Sequence, residues 1–477
     1  MSTPETWFQT GEALVSGNRY GTPGFTEGLE LLKKAAAAGF LEAQVALGHV
    51  YSQVHLLPDA ATEAARWYRL AAEQNHPAAQ DRLADLYMTG CGVLLNDAEA
   101  FQWYARTANQ TYAMAQCNLA YMHTQGLGVP SDDVQATTLY LKAAAQGEGR
   151  AYFNLGLRYA AGLGASVNRV QACAWMANAA RLNYPTSTME LDTLTTRLSD
   201  AERMQVRELT AAIEANFTAL QYALGRTPGA TASIEAYRAV VEQNFAALGV
   251  DGFSLDAAKR LQQADGADDH DRDRHAPDQP VTVCEQPRIF TVDEFVSKSE
   301  AAHLMALSAH DMRSAKEHTL DHLSHEHTAF TGHAATFLPA FCDAAVRNIE
   351  RRIARAFKLP PRHVEPLSVL RYQSSDRYAA HVDYFDEARL EYNRRIGDKS
   401  GQRVASFLVY LRAPEEGGET HYIKLKMKIA GRPRMALCHF NCLPAGITDP
   451  MTLHSGEPVA KGEKWLARTT LREQPFF

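Results

Sequence analysis

Several positions of this chain recur in step, and that constrains its fold more than anything else in it. Ala43, Ala79, Ala115 and Ala151 lie 36 residues apart. Each is followed after four residues by a leucine (Leu47, Leu83, Leu119, Leu155) and after eight by Tyr51, Tyr87, His123 or Tyr159. Trp67, Trp103, Leu139 and Trp175 keep the same step, with Ala64, Ala100, Ala136 and Ala172 before them and Ala72, Ala108, Ala144 and Ala180 after. A spacing of i, i+4, i+8 marks one face of a helix, and Gly90/Gly92, Gly126/Gly128 and Gly162/Gly164 punctuate the stretch between two such faces. Each unit therefore reads as a helical hairpin. Small alanines let helices approach and the tryptophan fills the gap between neighbours, so a stack buries what one hairpin could not. The periodic aromatics are read as core residues, not as a ligand-stacking surface.

This pattern resembles the Sel-like repeat, a relative of the tetratricopeptide repeat, over about residues 5 to 185. The resemblance implies a curved solenoid that binds a protein or peptide. It departs at Val54 and Leu56, where the first complete unit lacks its glycines. An amphipathic stretch from Leu198 to Leu224, with Ser199-Asp200 as N-cap, closes the stack as a capping helix. The solenoid is placed at 1–225.

Residues 226–280 read as short helices, around Ile234 to Leu248 and Ser254 to Gln263, followed by a linker. Ala264 to Pro280 has no aliphatic residue larger than alanine and is dense in charge and proline, so it cannot bury enough surface to order itself. His270 and His275 are taken as part of that solvated spacer. The chain carries 48 basic against 55 acidic residues, net −7, which disfavours a polyphosphate partner. No run approaches the roughly 18 apolar residues of a membrane span, and Met1 to Phe8 lacks a secretory pattern. Neither nucleic acid nor membrane is an expected partner, and the expected location is the cytoplasm. Of the seven cysteines only Cys438 and Cys442 are close, a CxxxC spacing without a second pair, so reduced thiols are expected.

From 281 to 477 the texture is mixed. Ile289 to Phe295 alternates as a strand, Ser299 to Ser308 and Phe341 to Phe357 are amphipathic helices, and short strands follow from Leu367, which suggests helices on a β-rich core. His318, His322, His325, His327 and His333 crowd one segment without the HExxH pattern of a zinc protease, and are assigned to a polar loop.

The chemistry sits further on. His381 and Asp383 are spaced i, i+2, which on a strand sends both side chains from one face. His454 follows 73 residues later and Lys464 ten after that. Two imidazoles and a carboxylate suit the facial triad of Fe(II), with open positions for a 2-oxo acid and dioxygen. A buried lysine needs an anion, and the distal carboxylate of 2-oxoglutarate is one.

Arg371-Tyr372, Tyr378 to Asp383, Arg403 to Leu411, Gly417 to Thr420 and His454 to Trp465 together resemble the prolyl 4-hydroxylase type of Fe(II)/2-oxoglutarate-dependent dioxygenase. The resemblance implies a double-stranded β-helix, or jelly roll, with flanking helices. It makes His381, Asp383 and His454 the iron ligands and Lys464 the anchor of the co-substrate, with Tyr372 and Tyr410 adding hydrogen bonds to it. It places Tyr378 and Arg403 near the substrate, and makes Gly417 and Gly418 a turn. It also brings the cofactor set of Fe(II), 2-oxoglutarate and O2, with ascorbate as reductant. Two departures, His325 to Phe330 in place of an arginine-serine pair and Thr470 in place of a tryptophan, lie toward substrate recognition.

The expected reaction couples decarboxylation of 2-oxoglutarate to hydroxylation of an unactivated C–H bond, on a protein or peptide captured by the solenoid, with a peptidyl proline as the leading substrate. Two alternatives stay open: the same chemistry on a free amino acid or small metabolite, and a scaffold with a degenerate oxygenase domain.

Overall fold

The computed structural model describes residues 3–225 and 277–475 apart from 19, 54–56, 58, 111, 310–311, 315–329, 337–342, 396–397, 399 and 444–445, and the side chains of 216–225 and 313–314 lie outside it. The helices expected at Ile234 to Leu248 and Ser254 to Gln263, most of the linker, Val54, Leu56 and four of the five clustered histidines fall outside the described residues. The chain divides into two compact units, Met1–Asn96 with Ala276–Phe477, and Asp97–His275.

In the first unit the repeats form α1 (Pro4–Gly17), α2 (Pro23–Ala37), α3 (Leu41–Gln53), α4 (Ala60–Glu73) and α5 (Pro77–Thr89). The second unit continues with α6 (Asp97–Asn109), α7 (Ala113–Gln125), α8 (Asp133–Ala144), α9 (Gly149–Ala161), α10 (Arg169–Arg181), α11 (Ser187–Thr195) and α12 (Asp200–Gly225). Helices adjacent in sequence pack as hairpins, α3 on α4, α7 on α8 and α9 on α10. The repeated alanines other than half-buried Ala180 are buried, as are the repeated leucines and tryptophans, Tyr51 and Tyr159, while Tyr87 and His123 are half-buried.

A polar ladder runs in the same register, with Nε2 of Gln44, Gln80 and Gln116 donating to the carbonyls of Ala36, Ala72 and Ala108. The second glycine of each pair is required by contact: a Cβ on Gly92 would stand 2.0 Å from the Ala61 carbonyl oxygen, and one on Gly164 2.0 Å from that of Asp133. At α12, Ser199 and Glu202 form a reciprocal capping box, Glu202 N–H to Ser199 Oγ at 3.3 Å and Ser199 N–H to Glu202 Oε2 at 2.8 Å. This helix lies against α10 and is the last of its unit among the described residues. Among the described residues no helix is long and apolar enough to cross a membrane.

The C-terminal part of the first unit is built on antiparallel sheets. One has eight strands in the order β1 (Val281–Cys284), β2 (Ile289–Val292), β11 (Ala436–Phe440), β7 (Arg403–Arg412), β14 (Lys464–Arg472), β5 (Ser368–Tyr372), β4 (His333–Thr336) and β3 (Arg313–Ser314). The second has the order β10 (Met427–Ile429), β9 (Thr420–Tyr422), β12 (His454–Gly456) and β6 (Tyr378–His381). A short pair joins β13 (Val459–Lys461) to β8 (Glu416–Gly417).

The central strands of the large sheet, β2, β11, β7 and β14, are buried on both faces, and strand alternation sorts their side chains between two cores. Phe407, Val409 and Ala467 pack against helices α13 (Lys298–Ala309) and α14 (Ala344–Ala356) through Leu304, Met305, Ile349 and Ile353. Leu408, Tyr410, Leu437 and Leu466 turn the other way and meet Tyr378 and Tyr422 of the small sheet. This is a helix-flanked jelly roll, as the resemblance implied. Lys464 has the parity of Leu466, so it enters the core between the sheets.

Candidate metal and co-substrate site

The site lies in that inter-sheet core. His381 ends β6 and His454 begins β12, and the antiparallel register makes the two residues direct partners. Asp383 follows just after β6. The Nε2 atom of His381 is 3.5 Å from Asp383 Oδ1, and that of His454 is 3.8 Å from Oδ2. One ligand atom from each of the three residues lies within 4.8 Å of the others. Each Nδ1 is bonded to a backbone carbonyl two residues upstream, His381 to Ala379 and His454 to Thr452, both at 2.9 Å. Donation from Nδ1 to those carbonyls leaves the Nε2 lone pairs free and aimed at the carboxylate, the tautomer a metal ligand needs.

The electrostatics agree. Burial, reinforced by the neighbouring His381, lowers His454 to about 3, so its ring is neutral. Burial alone would raise Asp383, but His454, His381 and His439 around it hold it well below the usual carboxylate range. Two imidazoles that present Nε2 and one ionised carboxylate, converging in a buried space, form a donor set that fits Fe(II).

Lys464 stands opposite Tyr372 in the pairing of β14 with β5. It is 1% exposed, and its Nζ donates to the Gly418 carbonyl at 2.8 Å. The ammonium lies 4.8 Å from the Tyr372 ring centre and 5.0 Å from that of Tyr410, so aromatic faces partly replace its lost water. Burial lowers it to about 7. Gly417 and Gly418 both have positive φ, 77° and 73°, and it is the backbone of this turn that meets the lysine.

Tyr378 stacks on His381 with ring centres 4.0 Å apart and 22° between planes. Tyr372, Tyr378, the three triad residues and Lys464 line one narrow cavity, joined by Thr420, Ser455 and Arg468. Two expected residues stand outside it. Tyr410 supports the floor, its hydroxyl 2.7 Å from Thr420 Oγ1. Arg403 forks onto Glu365 at 3.0 Å through both Nε and Nη2, with Nη1 3.4 Å from the Asp383 carbonyl oxygen, and so braces the loop that carries the carboxylate. His333 lies in β4 opposite Arg371 and away from the triad. Cys438 and Cys442 are free thiols.

Several neighbours escaped the sequence reading, Ser455 beside His454 among them. Arg468 shares the strand face of Lys464, four residues on, and Thr420 closes the Gly417 to Thr420 turn, so both could have been found by alternation. His439 is fully buried in β11, its Nε2 3.4 Å from Asp383 Oδ2. Its signal was a lone imidazole at an inward position of an apolar strand.

Comparison with known proteins bears on both parts. Residues 11–40, 41–76, 77–112, 113–148 and 149–184 match the Sel1 repeat, and residues 367–471 match the 2OG-Fe(II) oxygenase superfamily. Probable prolyl 4-hydroxylase 3 of Arabidopsis thaliana is 34% identical over 200 residues, covering 38% of this chain and 67% of the relative. Probable prolyl 4-hydroxylase 10 of the same plant is 31% identical over 239 residues, covering 46% and 78%. A solved Sel1 repeat protein from Oxalobacter formigenes is 31% identical and covers 38% of this chain and 74% of its own, with a TM-score of 0.35.

Proposed function

We propose, from the premise that this chain belongs to the prolyl 4-hydroxylase family of 2-oxoglutarate- and Fe(II)-dependent oxygenases, that it hydroxylates a proline in a protein or peptide brought to it by its helical repeats. Its class, a dioxygenase of the hydroxylase type, comes with the family. The observation that carries the reading is the convergence of the His381, Asp383 and His454 ligand atoms within 4.8 Å in a cavity that Lys464 also lines.

His381, Asp383 and His454 would hold Fe(II), and Lys464 with Tyr372 would take the far carboxylate of 2-oxoglutarate. When bound, the iron supplies the oxidising power by which 2-oxoglutarate and O2 yield succinate and CO2, with one oxygen atom going to succinate and the other to the substrate C–H bond. The chain does the rest. The Ala379 and Thr452 carbonyls keep both imidazoles in the ligating tautomer. Tyr378, stacked on His381, holds that ring against rotation. Leu408 and Leu466 line the cavity with apolar surface and exclude water, which strengthens the pairing of Lys464 with a carboxylate. Arg468 sets a cation at the Tyr378 side of the cavity, where its Nη1 is 3.4 Å from the tyrosine hydroxyl.

Sel1 repeats are read here as the protein-binding part, which raises the local concentration of substrate at the pocket. Ascorbate as reductant and a cytoplasmic location belong to the same proposal. The test is incubation of the full chain, Fe(II), 2-oxoglutarate and 18O2 with a peptide library and, separately, a pool of free amino acids and metabolites. A proline-containing peptide gaining one labelled oxygen, with matched succinate, is the expected result. Labelling confined to small metabolites would replace the substrate class. Succinate without any labelled acceptor, at a rate unaffected by His381→Ala, would overturn the enzyme assignment.

A further inference from the structure

His439 is a third imidazole at the triad, and neither the metal-ligand group nor the cavity lining includes it. It belongs to β11 of the large sheet and reaches across the inter-sheet core to residues of the small one. Its side chain is 0% exposed. Nδ1 is 2.9 Å from the Tyr422 hydroxyl. Nε2 lies 3.4 Å from Asp383 Oδ2, too poorly aligned for a hydrogen bond, and makes none among the described residues. Its ring centre is 4.9 Å from that of His454, at 63° between planes.

An imidazole in this place is costly unless it does something for its neighbours, because a buried polar atom without a full partner is unfavourable and an apolar side chain would fill the same space. Asp383 is an acceptor only, so the atom facing it must carry the proton, and in the neutral ring Nδ1 is then an acceptor. The Tyr422 hydroxyl can satisfy that acceptor. It is fully buried and its pKa is pushed well above the ordinary value by that burial, so it stays a donor. The three groups are thus placed for one directed chain, with Tyr422 O–H on His439 Nδ1 and the Nε2 edge of the ring facing Asp383.

We infer that His439 is a positioning residue for the metal centre, donating from Nε2 to the Asp383 carboxylate in a tautomer set by Tyr422, and so holding the carboxylate in one orientation for the metal. The inference rests on the reading of the triad as a metal site. Arg403 holds the Asp383 backbone and His439 its side chain, so the one acidic ligand is fixed at both ends. Outer partners of this kind tune affinity without binding the metal themselves.

The test uses the full chain, free of metal, titrated with Co(II) and followed by its visible absorption. His439→Phe should weaken Co(II) binding about 10- to 100-fold, with the melting temperature of the metal-free protein unchanged or raised. His439→Gln restores a donor and should recover much of the affinity, and Tyr422→Phe should fall between wild type and His439→Phe. Binding by His439→Phe within twofold of wild type would overturn the inference. So would a loss as complete as that of His381→Ala without rescue by His439→Gln, which would make His439 a ligand. If His439→Phe does not fold, Tyr422→Phe decides: undiminished Co(II) affinity overturns the proposed relay. Absence of Co(II) binding by the wild-type chain would remove the metal site itself, and the inference with it, whereas wild-type binding with unaltered variants removes the inference alone.

Discussion

His381 and His454, 73 residues apart in the chain, are direct partners across the antiparallel pairing of β6 and β12, with ring centres 4.4 Å apart. Backbone pairing thus sets the spacing of two ligands. The third, Asp383, sits two residues beyond the strand partner, so slipping the register by one residue would turn the histidine away and dissolve the site.

Replacing any one member should therefore remove the metal without unfolding the sheet. His381→Ala and Asp383→Ala are each expected to abolish measurable Co(II) binding and turnover while far-ultraviolet circular dichroism stays that of the wild type. Turnover retained by either variant would sink the iron assignment.

Lys464 makes the site pH-dependent. An ordinary lysine titrates near 10.5 and this one is lowered to about 7 by burial. Between those values the unfolded chain binds a proton that the folded chain has released, so in that window the ligand-free protein gains stability as pH rises. A carboxylate placed beside Nζ draws the proton back. Binding of 2-oxoglutarate at pH 8.5 should then take up close to one proton, seen as a buffer-dependent calorimetric enthalpy, and affinity should fall as pH rises above about 7. Lys464→Met should lose the buffer dependence and raise the KM for 2-oxoglutarate, with Co(II) affinity preserved. An enthalpy that is the same in phosphate and Tris would refute the titration.

Glu365 is the buried anchor beneath the Asp383 loop. Burial alone would raise it, but the Arg403 and Arg472 guanidiniums beside it hold it at about 2. A carboxyl depressed from 4.5 contributes about 3 kcal/mol of stability. That contribution is complete above about pH 4.5 and is lost as pH falls toward 2. Glu365→Gln leaves two arginines short of a partner and should cost about 3–5 kcal/mol at pH 7. Denaturant melts at pH 7 and pH 3 should show the gap between wild type and variant narrowing in acid; an equal gap at both would argue against the pairing.

The repeats offer a test of close packing. Gly126 and Gly128 both have positive φ, 68° and 70°, but a Cβ on Gly126 finds nothing nearer than 3.6 Å, whereas one on Gly128 would stand 2.2 Å from the Asp97 carbonyl oxygen. Gly126→Ala should cost about 1–2 kcal/mol through backbone strain alone. Gly128→Ala should cost clearly more, because the backbone itself must move. Thermal melts of the two variants that coincide would show that the loop yields freely.

Much of this protein was determined by its sequence alone, wherever the governing interaction is local. The 36-residue period specifies helical hairpins because i, i+4, i+8 is one helix face whatever lies beyond it, and Ser199 with Glu202 marks a helix start within four residues. Residues His381, Asp383, His454 and Lys464 were legible because few functions need those four types in that order. Even the Gln44, Gln80 and Gln116 ladder was written in the period, though attention to apolar positions passed over it. Tertiary structure alone decided which strands became neighbours: that β12 lies between β9 and β6, that Lys464 faces Tyr372, that Arg403 turns to Glu365 and the Asp383 carbonyl, and that His439 crosses from the other sheet to reach the same carboxylate. Strand pairing joins residues far apart in the chain through backbone groups that every residue carries alike, so side-chain pattern says which face a residue occupies, while the partner across from it is set only when the sheets assemble.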